Sequence, residues 1–506
     1  MKTLVDLLER AEAEHGERIA VSTHDRHLTY RQLFDRSRRL AGAIASRGVR
    51  PGERVAIIAP NGFRYLEVNF ACALAGAVLV PLNTRLAPAE LGDILERVDC
   101  QLVFRSGEVT FGDITSIGWH EAAVPDEACG YERALAQATP IISASPATAE
   151  TLAQIFFTSG TTGQPKGVCL THGNLLASGI DAIERLDFAN GDVWLHSAPM
   201  FHLVDAFAIW GMTLAGGAHV AGQFDAAGFG ALVERERITK TSLPPTLLDW
   251  ISRQRPDERH DLSSLALISY GGSPMQDAVY KRCRAALGCQ LLQAYGLTEG
   301  SGFVCHEQAG DNPDPNAAFD TVGRPTRHVE IALLDDDGGT VAAGMVGEFG
   351  LRGARLFQGY WNDPEATRAV QSSGWYRTGD LGLSSDAGLY QVVGRKKEMI
   401  ISGGENVYPA EVVNALLSHP AVIEAAVFGV ADERWGEQVR AVVHVPADAP
   451  RPSAEELTQH CRSLIAGYKT PKHIAIWPDP LPKTGAGKIA TAAIKARIVH
   501  EIGRAS

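Results

Sequence analysis

No two cysteines in this chain are spaced C-x-x-C, although eight occur in 506 residues. That absence excludes the common thiolate zinc sites and the redox dithiol motif, and it leaves the cysteines as reduced thiols rather than a disulfide framework. Long hydrophobic runs are missing too. The longest, Phe70 to Leu82, contains Pro81 and falls short of the roughly 20 apolar residues that a bilayer requires. Met1 to Arg18 is charged and amphipathic, unlike the apolar core of a signal peptide. Positive charge is in deficit: 47 Lys and Arg stand against 59 Asp and Glu, a net charge of −12. Such a surface argues against nucleic acid as a partner. No fixed-period repeat or low-complexity tract stands out. The expectation is a cytoplasmic protein without a transmembrane segment. Its length, at roughly 100–200 residues per domain, allows a large core and more than one domain.

The first 150 residues alternate helical and extended patterns. Thr29-Tyr30-Arg31-Gln32 reads as a capping box that opens a helix to about Ser46, which Gly48 stops. Strands are predicted at 54–59, 78–80 and 101–104, with helices at 65–75 and 88–98 between them. Strand and helix in turn point to α/β layers around a largely parallel sheet. Residues 105–150 read as loops and short elements. Beyond about Gly350 the pattern becomes α+β, with strands at 347–352, 388–393, 424–430 and 439–445 and helices at 409–417 and 454–464. The glycine-flanked charged run Gly394-Arg-Lys-Lys-Glu398 marks the boundary. The predicted architecture is a large N-terminal α/β domain of layered sheets and helices, 1–395, followed by a small, mobile α+β domain, 396–506.

The densest chemistry lies in Phe157-Thr-Ser-Gly-Thr-Thr-Gly-Gln-Pro-Lys-Gly167, after an apolar strand at 152–157. Its glycines let backbone N–H groups approach an anion, its hydroxyls add donors, and Lys166 adds charge. The spacing is not that of the G-x-x-x-x-G-K-[ST] loop, and Val168-Cys-Leu170 reads as extended, so a helix dipole does not help here. A flexible surface hairpin is the alternative. In Gln293-Ala-Tyr-Gly-Leu-Thr-Glu299, placed after a strand at 290–292, Tyr295 offers a stacking ring, Thr298 a hydroxyl and Glu299 a hard oxygen ligand suited to Mg²⁺; alone this is a weak signal, since Tyr-Gly is a common turn and a single Glu is usually solvated. Ser269-Tyr-Gly-Gly-Ser273 is a strand end built of small residues. Tyr376-Arg-Thr-Gly-Asp380 places a carboxylate after a tight turn, where it could accept bonds from two ribose hydroxyls or close an Asx turn. Pro482-Lys-Thr-Gly-Ala-Gly-Lys488 is a glycine-hinged lysine loop, or simply a solvated one.

The order of these pieces carries more than any one of them. With Ala198-Pro-Met-Phe-His202, Gly271-Gly-Ser-Pro274 and Ser402-Gly-Gly-Glu-Asn-Val-Tyr-Pro409 included, the chain resembles the adenylate-forming (AMP-binding) superfamily over nearly its whole length. It is most similar to acyl-CoA synthetases of the fatty-acyl and 4-coumarate type. The resemblance implies an AMP-forming acid–thiol ligase that uses ATP, Mg²⁺ and coenzyme A. A carboxylic acid (a medium- or long-chain fatty acid or an aryl acid) attacks ATP to give acyl-AMP and pyrophosphate, and a thiol then displaces AMP.

By the same resemblance, Thr158, Ser159, Gly160, Thr161, Thr162 and Lys166 cradle the ATP phosphates, and Thr158 and Glu299 hold the metal. Gly271, Gly272, Ser273, Ala294, Tyr295, Gly296 and Thr298 surround the adenine, and Asp380 and Arg395 bind the ribose. Lys488 reaches the carboxylate and the α-phosphate from the small domain, which turns at Lys397. Ser402, Gly403, Gly404 and Lys469 lie along CoA. The acyl pocket is assigned to His202, Asp205, Phe207, Gly271 and Gly296. Asp205 departs from the apolar or small residues of fatty-acyl relatives. Buried without a partner it would cost several kcal/mol, by roughly the desolvation argument, so it must face solvent, find an internal donor or meet a polar part of the substrate. Because His202 and Asp205 share a helix face, the expectation is a bias toward polar, amino-bearing or shorter acids. The alternative is an adenylation enzyme loading an amino or β-amino acid onto a carrier protein. A catalytically dead nucleotide-binding relative is disfavoured, since Glu299, Asp380, Arg395 and Lys488 are all present. Small molecules are the expected partners, with a homodimer left open.

Overall fold

The structure, a computed structural model, describes residues 1–506 except 24–25, 108–109, 120–129, 159–164, 223–224, 273–274, 276, 313–320, 433, 448–449, 484–488 and 506. The chain forms two compact units, 1–331 with 351–376, and 332–350 with 377–506.

The first unit is built on two mixed, mainly parallel sheets. In one, seven strands run in the order Gly359–Tyr360, Lys166–Thr171, Leu152–Thr158, Val78–Pro81, Arg54–Ile58, Cys100–Ser106, Thr115–Trp119. The other has nine, in the order Arg324–Pro325, Gly302–His306, Gln290–Leu297, Leu267–Gly271, Lys240–Leu243, Val193–His196, Ala218–Ala221, Ile19–Ser22, His27–Thr29. Central strands such as Val78–Pro81 and Lys240–Leu243 are buried along their whole length, as expected of parallel strands covered on both faces. The capping box is present: Gln32 N–H donates to Thr29 Oγ1 (3.2 Å), and Thr29 N–H donates to Gln32 Oε1 (2.9 Å). The helix it starts spans Tyr30–Ser46. Helix Leu203–Ala215 packs on helices His172–Leu186 and Leu4–His15 and on strand Gly302–His306. Its close approach to His172–Leu186 depends on two glycines, since a Cβ on Gly179 would lie 3.0 Å from Trp210 Cβ and one on Gly211 3.2 Å from the Gly179 carbonyl.

In the second unit, strand Gly436–His444 pairs with Glu424–Asp432 antiparallel over nine residues and with His473–Trp477 in parallel. Helices Pro409–Leu417 and Ala454–Leu464 pack together, and both match the predicted bounds. Strand Trp375–Ser384 pairs with Tyr390–Arg395.

Two local expectations are corrected. Gln293–Leu297 does not follow a strand but continues it: Gln290–Leu297 is held in parallel by Leu267–Gly271 and antiparallel by Gly302–His306. Likewise Tyr376–Asp380 lies inside strand Trp375–Ser384, where Gly379 alone takes a positive φ of 77°. The seven described cysteines are all buried thiols. Among the described residues, no helix is long and apolar enough to cross a membrane.

Candidate active site

Four predicted or neighbouring groups of the first unit converge. Strands Leu152–Thr158 and Lys166–Thr171 form an antiparallel pair whose register places Thr158 opposite Lys166. Ser159, Gly160, Thr161 and Thr162, which join them, lie outside the described residues. Tyr360 enters on the edge strand paired with Lys166–Thr171. Its ring lies under the Lys166 ammonium, 4.8 Å from Nζ to the centroid, and its hydroxyl donates to Glu299 Oε1 at 2.8 Å. Burial, with the adjacent Glu299 carboxylate, pushes the Tyr360 and Tyr376 phenols up, so both stay protonated donors. Phe357 packs edge-on against both rings and donates its N–H to the Glu299 carbonyl (2.9 Å).

The turn that carries Thr298 and Glu299 is pinned from its C-terminal side. Ser301 sits at φ 58°; its hydroxyl donates to the Arg355 carbonyl (2.7 Å), and Arg355 Nη2 donates to the Ser301 carbonyl (3.0 Å). Arg355 is fully buried against Asp181 (3.1 Å). Removing either charge would leave the other buried without its opposite charge. A carboxylate and a hydroxyl beside a lysine would suit a hard cation and a phosphate chain. Glu299, Thr158 and Lys166 therefore fit the Mg²⁺ and triphosphate expected of them.

The adenine candidates occupy adjacent strands of the nine-stranded sheet. Gly271 and Ala294 are register partners, and a Cβ on Gly271 would lie 2.5 Å from the Ala294 carbonyl. Gly296 is equally constrained, with a Cβ only 2.4 Å from Phe303 Cα. Gly272 has φ 83°; Ser273 is not described. Tyr295 follows Ala294 on the same strand, half-buried.

His202 is the N-cap of helix Leu203–Ala215, and its ring tilts against Phe201 at 4.6 Å. Phe207 lies on the same helix, edge-on to Phe303 (4.9 Å) and Trp194 (5.7 Å). Asp205 corrects the expectation of a substrate-facing carboxylate. It is fully buried, with Oδ1 accepting from Trp194 Nε1 (3.2 Å) and Oδ2 meeting His196 Nδ1 (2.5 Å). Internal donors meet its desolvation cost, and no substrate group is needed.

In the second unit, Asp380 and Arg395 are register partners and form an ion pair (3.0 Å), the carboxylate largely buried and the guanidinium half exposed. Ser402, Gly403 and Gly404 make a tight hairpin, with both glycines at positive φ. Lys469 is bound by both oxygens of Glu411 (2.7 and 2.8 Å). Lys397 is exposed in a single 3₁₀ turn, 396–398, and Lys488 lies outside the described residues. The sequence reading missed Tyr360, Phe357 and Arg355. The cue for Tyr360 was slight: an aromatic beside glycine in Gln-Gly-Tyr-Trp.

Residues 8–361 match the AMP-binding enzyme family, and residues 411–488 match the AMP-binding enzyme C-terminal domain. The chain belongs to the AMP-binding enzyme family. A feruloyl-CoA synthase from Amycolatopsis sp is 37% identical over 93% of this chain and 94% of its own. The fatty acid–[acyl-carrier-protein] ligase ScoC of Streptomyces coeruleorubidus is 34% identical over 96% of this chain and 94% of its own. Among solved structures, o-succinylbenzoate CoA synthetase from Bacillus subtilis, bound to its acyl-adenylate, aligns with a TM-score of 0.86 at 28% identity over 98% of both chains; the same enzyme is also solved with ATP and magnesium. This AMP-binding enzyme is an acid–thiol ligase that forms an acyl-AMP from ATP and transfers the acyl group to CoA.

Proposed function

We propose that the chain acts on an aryl acid, with CoA as the acceptor, and that its residues divide the two steps as follows. Lys166, Thr158 and the loop after it take the ATP phosphates. Thr158 and Glu299 hold Mg²⁺, which when bound offsets charge on the phosphates. Gly271, Gly272, Ser273, Ala294, Tyr295, Gly296 and Thr298 frame the adenine, and Asp380 with Arg395 takes the ribose hydroxyls. The acid is already ionised at neutral pH, so its attack on the α-phosphorus needs no general base. The obstacle is the approach of two anions, and Lys488 is assigned to screen it and to stabilise the growing transition-state charge. A boundary after Arg395, with rotation at Lys397, then brings Ser402, Gly403, Gly404 and Lys469 to CoA. For Lys469 this means leaving the Glu411 pair.

The observation that carries the reading is the Thr158, Lys166, Tyr360 and Glu299 cluster, in which a cation and a carboxylate share one phenol beside a pinned turn. The preference for an aryl acid is supported by the buried, edge-to-face rings of Trp194, Phe207 and Phe303. They pack on and beside the His202 helix. The named substrates of the feruloyl and succinylbenzoate relatives agree. A second reading, transfer of a fatty acyl group to a carrier protein, is favoured by the likeness to ScoC. Initial rates of AMP release on a hydroxycinnamate, a benzoate, octanoate and palmitate, each with CoA and with a phosphopantetheine-bearing carrier protein, separate the two. Higher kcat/KM on the aromatic acids supports the first, and palmitate as the best substrate overturns it.

A further inference from the structure

Asp205, His196, His219 and Thr213 are all fully buried, and they form one continuous hydrogen-bonded relay. Asp205 Oδ2 meets His196 Nδ1 at 2.5 Å, His196 Nε2 meets His219 Nδ1 at 2.9 Å, and His219 Nε2 meets Thr213 Oγ1 at 3.0 Å. The two imidazoles are stacked, 5.2 Å apart and 11° from parallel. With His196 neutral, one proton arrangement satisfies every atom. Trp194 Nε1–H and His196 Nδ1–H donate to the carboxylate, His219 Nδ1–H donates to His196 Nε2, and the Thr213 hydroxyl donates to His219 Nε2. Desolvation by burial holds the His219 imidazole well below its usual pKa and keeps it neutral. Asp205 lies in the first helical turn, where the helix dipole favours a negative charge.

The path of the relay matters more than its size. It leaves helix Leu203–Ala215 at Asp205, crosses the adjacent parallel strands Val193–His196 and Ala218–Ala221, and returns to the same helix at Thr213. The two anchor points lie eight residues apart, about 12 Å at 1.5 Å per residue. Apolar side chains would hold a helix to a sheet at less desolvation cost; hydrogen bonds of fixed geometry add a defined register. Register counts here because the helix begins at His202. The segment leading into it is tied by Asn61, whose amide donates to the His196 and Ala198 carbonyls (2.8 and 2.7 Å) and accepts from Met200 N–H (2.8 Å). On its other side the helix meets strand Gly302–His306 closely. A Cβ on Gly302 would stand 3.4 Å from the Leu203 carbonyl and 3.5 Å from Phe207 Cβ. Sliding the helix moves His202 and Phe207 together.

We propose that Asp205 is a positioning residue for the carboxylic acid, acting through the His196, His219 and Thr213 relay that fixes the His202 helix at two points. This rests on the ligase reading above and on the assignment, by family resemblance, of His202 and Phe207 to the acyl pocket.

The test uses the full chain and measures AMP release with acid and ATP varied separately, for wild type, Asp205→Ala, Asp205→Asn and Thr213→Val. Asparagine can keep every bond by reversing the relay: its amide N–H donates to His196 Nδ1, His196 Nε2–H to His219, and His219 Nε2–H to Thr213. Asp205→Ala is expected to raise KM for the acid ~10–10²-fold, the scale of a small misplacement of a bound reactant, with KM for ATP unchanged. Asp205→Asn should bring the acid KM back toward wild type, and Thr213→Val, at the far anchor, should raise it in the same direction as Asp205→Ala. Acid KM equal to wild type in both Asp205→Ala and Thr213→Val overturns the proposal. So does a parallel rise in both KM values, or an asparagine variant no better than alanine. If Asp205→Ala yields no folded protein, the acid KM of Thr213→Val decides alone. A wild type that releases no AMP with any acid refutes the ligase reading and this proposal together.

Discussion

Replacing Glu299 with glutamine removes one negative charge from the cluster and leaves its shape in place. Tyr360 can still donate to the remaining carbonyl oxygen as it does to Oε1 at 2.8 Å, and the backbone bond from Phe357 N–H to the residue 299 carbonyl is untouched. The fold should therefore survive, and the loss should be one of charge. Glu299 is partly buried among the Tyr360 and Tyr376 phenols, both pushed up in pKa by burial first. There an effective dielectric near 20 gives about 4 kcal/mol between unit charges about 4 Å apart. Part of that is offset by the cost of desolvating the carboxylate, leaving roughly 3–4 kcal/mol, or ~10²–10³-fold in rate, the scale seen when one preorganised electrostatic group is lost. Acid-dependent ATP–pyrophosphate exchange at graded Mg²⁺ is the assay. The expected result is a ~10²–10³-fold slower exchange that requires more Mg²⁺, with an unchanged melting temperature. A Glu299→Gln enzyme with wild-type exchange and wild-type Mg²⁺ dependence would refute the metal-holding role.

Lys488→Ala should slow acyl-AMP formation ~10²–10³-fold while synthetic acyl-AMP plus CoA still gives thioester; equal loss of both half-reactions would make Lys488 structural. Lys397→Pro should do the reverse, sparing adenylation and stopping thioester formation, because proline fixes φ where rotation is required; equal loss in both would count against a hinge there. Glu307 gives a stability prediction. Burial raises its carboxyl to about 7 from an ordinary 4.5, against a backbone bond from Gln293 N–H and with Asp311 adding to the rise. The folded state then binds the Glu307 proton more tightly than the unfolded state. Its contribution is complete below the unfolded pKa and is lost as pH rises through about 7. Glu307→Gln should therefore gain melting temperature relative to wild type as pH rises from 4.5 to 7. Taking the difference cancels the opposite trend from His306, which burial pushes down to about 4; a pH-independent difference would contradict the assignment.

Elements governed by local chemistry were legible in the sequence. The Thr29–Gln32 capping box and helices Pro409–Leu417 and Ala454–Leu464 stand as read, because caps and apolar period act within a few residues. Gln293–Leu297 was misread because alanine, glycine and tyrosine look like a turn; pairing on both sides, with register partners 23 residues upstream and a few residues downstream, makes them part of a strand. Asp205 shows the same limit at a side chain. Desolvation demanded a partner, but His196 and His219 reach it only through the packing of two strands against one helix, and no spacing in the sequence announces that. Tyr360 is brought to Glu299 and Lys166 across a sheet edge. The family's ordered motifs named the candidate groups for the nucleotide, and tertiary structure supplied the residues packed against them.

The central claim is that this site joins a carboxylic acid to AMP before any thiol is involved. The most direct measurement is mass spectrometry of the enzyme incubated with ATP, Mg²⁺ and an aromatic acid, before and after CoA is added. The account predicts acyl-AMP with one equivalent of pyrophosphate before CoA, and acyl-CoA with AMP after it. Thioester appearing with ADP and inorganic phosphate, or with no acyl-AMP at any time, would contradict it.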